Sequence, residues 1–109
     1  MWRMGLEILG LEKCELTREE IARAFAAVSR LALELGWEVP SYALLVFASS
    51  ETECAEFKER EFVELEEGLL VKDGTALVVL GGLLPNVLLD KLFVGFLALS
   101  YYETFREIS

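Results

Sequence analysis

The last third of the chain sets the strongest limit on what it can fold into. Gly74–Leu89 carries no charge, Asp90 and Lys91 intervene, and Leu92–Tyr102 is again uncharged. Neither run reaches the roughly 20 apolar residues that cross a bilayer, and a charged pair at the centre of a span is costly. No membrane span is expected, so this much apolar sequence has to be buried in a protein core or at an interface. Pro85 suits the first turn of a helix, and a helix is predicted from Pro85 to about Arg106. Its middle, Leu92-Phe93-Val94-Gly95-Phe96-Leu97-Ala98-Leu99, is apolar on every side, where a surface helix shows a polar stripe.

The remaining pattern supplies a sheet and one more helix. Trp2, Met4, Leu6 and Ile8 alternate with Arg3, Gly5 and Glu7, the period of a half-buried strand. Thr17-Arg18-Glu19-Glu20 is a capping box. Ile21, Ala24, Phe25, Val28, Ala32 and Leu35 then recur at helical spacing as far as Gly36, a natural stop. Tyr42–Ala48 is a continuous apolar run of the length and kind found in central strands. Glu51–Glu67 holds eight Glu and no single period. It reads either as a short helix leading into a strand from about Phe62 or as an irregular acidic loop. Asp73-Gly74 between two apolar runs predicts a β-hairpin over Leu69–Leu80 with a type I′ turn. The sum is a single domain over residues 1–109, of class α+β. It comprises a mixed sheet of about four strands with two main helices packed on one face, in the order strand, helix, strand, uncertain segment, strand, strand, helix.

Charge narrows the partners. The net charge is −9, with 19 acidic and 10 basic residues. Such a chain repels phosphate backbones and anionic membrane surfaces, so no nucleic-acid partner is expected. Seventeen Glu against two Asp, a single Asn and no Gln form a thermophile-like bias. Met1–Gly10 is interrupted by Glu7 and does not read as a signal peptide, so a cytoplasmic protein is expected. Cys14 and Cys54 fit neither a zinc nor a Cys-x-x-Cys pattern. They read as free thiols, with a Cys14–Cys54 disulfide as the alternative in a hyperthermophile.

The chemistry that the residues allow is limited. Without histidine, no Ser-His-Asp or Cys-His arrangement and no His-ligated metal can be built. Glu61, Glu64, Glu66 and Glu67 are the candidate carboxylates for a divalent metal or for acid–base work. A solvated acidic face is the simpler reading, because nothing in their pattern places them in a cleft. Gly81-Gly82 joins a strand to a helix as phosphate loops do, but lacks the G-x-G-x-x-G and Lys-Ser/Thr partners, and so reads as a tight turn. Ser49-Ser50 reads as a turn. No cofactor is expected, and no catalytic residue is assigned.

The stretch Leu77–Tyr102, in which a strand and a short turn lead to an apolar helix, resembles small zincin-like domains. The segment corresponding to that family's His-Glu-x-x-His is Gly95-Phe96-Leu97-Ala98-Leu99, which keeps only the apolar spacing. The resemblance implies a zincin-like fold without protease activity, and it transfers no functional residue.

The leading functional expectation is a non-enzymatic protein that forms a homodimer, or docks as a subunit on a protein partner, through its last helix. The expected interface residues are Leu92, Phe93, Val94, Phe96, Leu97 and Tyr101. Alternatives are a small Glu-based divalent-metal enzyme or ligand-binding domain, and an acidic regulator of a basic partner.

Overall fold

A computed structural model describes residues 5–105. The elements follow in the order β1 (Gly5–Leu9), a 3-10 turn (Leu11–Lys13), α1 (Arg18–Glu34), β2 (Tyr42–Ala48), α2 (Glu51–Lys58), β3 (Val63–Glu66), β4 (Leu69–Lys72), β5 (Ala76–Leu80) and α3 (Pro85–Phe105). One mixed sheet has the strand order β1-β2-β5-β4-β3. β1, β2 and β5 are parallel; β5, β4 and β3 are antiparallel. The α+β class is as expected, with five strands instead of four and a third helix. Leu6 and Ile8 face the core as the alternation requires, while Trp2, Met4 and Arg106 lie outside the described residues.

Alternation divides the sheet into two unequal faces. Ile8, Ala43, Leu45, Phe47, Leu69, Val71, Leu77 and Val79 meet α1 and α3 in the main core. Leu70, Val78 and Ala48 point the other way, towards Cys54 of α2 and the Phe57–Phe62 ring pair. The two long helices therefore share one face, as predicted, and α2 covers part of the other.

The ends of α1 are fixed locally. The Thr17 hydroxyl accepts from the Glu20 amide at 3.1 Å, and the Glu20 carboxylate accepts from the Thr17 amide at 2.9 Å. These bonds hold the Glu20 carboxyl below its ordinary value. Stability from a depressed carboxyl is complete above its unfolded value and is lost as the pH falls through the lower folded one. Thr17→Ala is expected to cost about 1 kcal/mol at neutral pH and to shrink the acid-dependent part of the melting curve. Thermal melts of both proteins from neutral to acid pH check this. At the other end Gly36 takes φ 78°. The Trp37 amide donates to Ala32 O at 2.9 Å and the Gly36 amide to Leu33 O at 3.0 Å. This Schellman geometry turns Trp37 back towards α3.

The hairpin forms in the predicted place with a different turn. Lys72 pairs with Ala76, which leaves a three-residue connection. Asp73 has positive φ and Gly74 does not, so the turn is not type I′. Gly74 serves close approach instead: a Cβ there would lie 3.0 Å from Glu103 Oε1 and 3.1 Å from the Glu103 amide nitrogen. The carboxyl ends of the parallel strands are closed in the same manner. A Cβ on Gly81 would lie 2.6 Å from Lys13 O, so the 3-10 turn fills the space where a phosphate loop would have to open.

Candidate interaction surface on the last helix

The inner side of α3 belongs to the chain's own core. Leu88, Leu92, Gly95, Phe96, Leu99 and Ser100 are buried. Phe96 meets Phe25 edge-to-face at 5.0 Å. Two of the expected interface residues, Leu92 and Phe96, are thus occupied within the chain, because α1 and the sheet both close on this side. Gly95 likewise does not admit another chain: a Cβ there would lie 2.6 Å and 2.7 Å from the two δ-carbons of Leu77 and 3.1 Å from Leu69 Cδ1. Gly95→Ala is expected to push α3 off the sheet and cost about 1–3 kcal/mol, read as a lower urea midpoint at unchanged slope.

The outer side is different. Phe93, Val94 and Tyr101 are 43%, 43% and 46% exposed, and Leu97 between them is half-buried. Residues 93, 97 and 101 recur every four positions, which makes them one stripe on a helix. Beside the stripe runs an open groove of about 430 Å³, lined by Trp37, Leu65, Val94, Leu97, Ala98, Tyr101 and Tyr102. Its floor is apolar, and among the described residues that line it the polar side-chain atoms are the tyrosine hydroxyls and the indole nitrogen.

The C-terminal end of this surface is held firmly. The Glu38 amide donates to Thr104 Oγ1 at 2.7 Å, the Ser100 hydroxyl donates to Glu38 O, and the Thr104 hydroxyl donates to Ser100 O at 2.7 Å. The Trp37 ring then lies edge-on to Tyr101 at 5.7 Å and to Phe105 at 5.8 Å. Trp37 was not among the residues expected at an interface. Its one sequence signal is its position just after the Gly36 stop.

The four acidic candidates do not converge on one point. A bulge between Glu64 and Glu66 breaks the alternation of β3. Glu64 therefore pairs with Lys58 of α2 at 3.0 Å on one face, and Glu66 pairs with Lys91 of α3 at 2.9 Å on the other. Glu64 and Glu67 line a small cavity with Glu51, Lys58 and Cys54. Glu61 is exposed, at positive φ. Among the described residues no three acidic or sulfur side chains are placed to hold a metal ion. Cys14 and Cys54 are free rather than joined, and burial raises both thiols above their ordinary values, which makes them poor nucleophiles.

A second polar group closes the carboxyl edge of the sheet. The Ser49 hydroxyl donates to Glu53 Oε2 at 2.6 Å and Lys13 Nζ lies 3.2 Å from Glu53 Oε1. The Ser49 bond, then Lys13, hold the Glu53 carboxyl low. Ser50 caps α2 by accepting from the Glu53 amide at 3.2 Å. These serines cap and tether α2, in keeping with the turn predicted for them.

Among the described residues no helix is long and apolar enough to cross a membrane. No protein-family model, curated protein or solved structure matches the chain. The zincin resemblance therefore rests on strand–turn–helix order alone, and its key segment Gly95–Leu99 is spent largely on packing.

Proposed function

We propose that this chain is a cytoplasmic, non-enzymatic subunit that self-associates through the outer face of α3. The observation that carries the reading is the uncharged stripe Phe93–Leu97–Tyr101 with Val94 beside it, left open after the core has taken the other sides of the helix. In a chain of net charge −9, two copies repel over most of their surfaces. Segment Leu92–Tyr102 contains no charged residue, so the stripe lets copies meet without burying unpaired carboxylates. Large exposed aromatic and aliphatic side chains on a rigid helix are the usual anchors of such contacts. The free thiols, Cys54 buried and Cys14 partly so, agree with a reducing compartment.

Light scattering coupled to size-exclusion chromatography tests the reading. A dimer is expected at concentrations of about 10 µM, equivalent to roughly 7 kcal/mol of association. A monomer persisting at about 100 µM, ten times higher, sinks it.

A further inference from the structure

We infer that the open edge of β1 is a second interaction site, which takes an extended segment of a partner protein as a sixth strand. The segment alternates apolar, basic, apolar, with its basic residue beside Glu7. The site is separate from the outer face of α3 and does not depend on self-association. β1 and β3 are the two edges of the sheet. β3 is guarded in three ways: it has only four residues, a bulge, and two glutamates. β1 pairs with β2 over five residues in unbroken register, with no proline and with Glu7 as its one charge. The Gly5 amide donates to Ser41 O at 2.9 Å. In a parallel ladder this turns the N–H and C=O of Gly5, Glu7 and Leu9 towards β2, and those of Leu6 and Ile8 outward. Among the described residues no strand pairs with that outward edge.

The side chains beside this edge choose its occupant. Leu6 and Ile8 lie on the core face. Glu7, Leu9 and Tyr42 lie on the other, all three exposed. Gly5 lets the Tyr42 ring lie across β1, since a Cβ there would be 3.1 Å from Tyr42 Cδ1. The Tyr42 hydroxyl donates to Glu7 Oε1, and among the described residues Glu7 has no ion pair. A second copy does not fit. The antiparallel register that serves both Leu6 and Ile8 sets Leu6 against the second copy's Ile8. It then sets Glu7 directly against the second copy's Glu7, in a close pair without hydrogen bonds, and like charges so placed are destabilising. A lysine or arginine in a partner segment turns that same pair into an attraction. Apolar residues on either side of it continue the row of Leu6 and Ile8. The backbone bonds then supply the affinity and Glu7 the selection.

Two end-blocked peptides, Thr-Thr-Val-Lys-Val-Thr-Thr and the same sequence with glutamate in place of lysine, test the site on the full-length chain. The lysine peptide is expected to bind with a dissociation constant of about 100 µM and to slow hydrogen exchange at the Leu6 and Ile8 amides, read by NMR. The glutamate peptide is expected to bind at least about tenfold more weakly. Glu7→Lys is expected to lose this preference. Glu7 is exposed, and circular dichroism verifies that the variant keeps its fold. The variant chain is still strongly acidic, so a merely long-range attraction would go on favouring the lysine peptide. Absence of binding by the lysine peptide at about 1 mM, binding without protection of the Leu6 and Ile8 amides, or a preference that survives Glu7→Lys each overturns the site. Val94→Arg, which removes the proposed α3 contact, should leave peptide binding unchanged. Loss of binding in that variant would move the peptide to α3 and overturn the β1 site, whatever the oligomeric state of the parent.

Discussion

Phe96→Ala is expected to destabilise the fold by about 3–5 kcal/mol, the largest effect of any single truncation on α3. Phe96 is 2% exposed and wedged between Phe25 and the sheet side chains of the main core. Its removal takes away both transfer energy and an edge-to-face contact. The surrounding strands and helices cannot collapse around the hole, because Gly95 already sets α3 at closest approach to Leu77. Domains of this size have total stabilities of about 5–15 kcal/mol, so the variant should unfold at a much lower urea concentration. Phe93→Ala, three residues earlier and 43% exposed, is the control. It should cost about 1 kcal/mol or less. Equal losses at the two positions would mean that the helix is rotated from the orientation described.

Val94→Arg should have the opposite profile, with an intact monomer and no dimer. Val94 lies on the outer face at 43% exposure, and arginine is a better helix former than valine, so the monomer keeps its melting temperature. In the proposed dimer two guanidinium groups would enter an uncharged contact. Each costs several kcal/mol without a partner, so the dissociation constant should rise at least about hundredfold. Light scattering on the parent and the variant reads this directly. A variant that remains as dimeric as the parent would place the contact elsewhere on the molecule.

Different parts of the fold were legible in the sequence to different degrees. α1 was read almost residue by residue, because its signals are local: the Thr17–Glu20 box, the apolar repeat and the Gly36 stop each act within one turn. β2 was read as central because an unbroken apolar run needs cover on both faces, and it does lie between β1 and β5. The stretch from Glu51 to Glu67 stayed open between a helix leading into a strand and a loop. The first is found, and a local cue was present: Ser50-Glu51-Thr52-Glu53 has the spacing of a helix start, and Ser50 does cap α2. The β3 bulge had no such cue. It sends Glu64 and Glu66 to opposite faces of the sheet, each to a lysine of its own. Asp73-Gly74 marked the turn correctly and its type wrongly, since the contact of Gly74 with Glu103 is made between residues 29 positions apart.

The amino-acid sequence by itself determined that this protein is an acidic α+β chain with no histidine chemistry, built around one helix too apolar for an ordinary surface. Those properties depend on composition and on patterns a few residues long. Only the tertiary structure decided which sides of that helix the chain keeps for itself. Leu92, Gly95 and Phe96 go to the core, while Phe93, Val94 and Tyr101 are left outside. The physical reason is that an all-apolar helix has no amphipathic phase of its own. Its rotation is set by the partners that close on it: Leu77 and Leu69 against Gly95, Phe25 against Phe96, and the Glu38 clasp at Ser100 and Thr104.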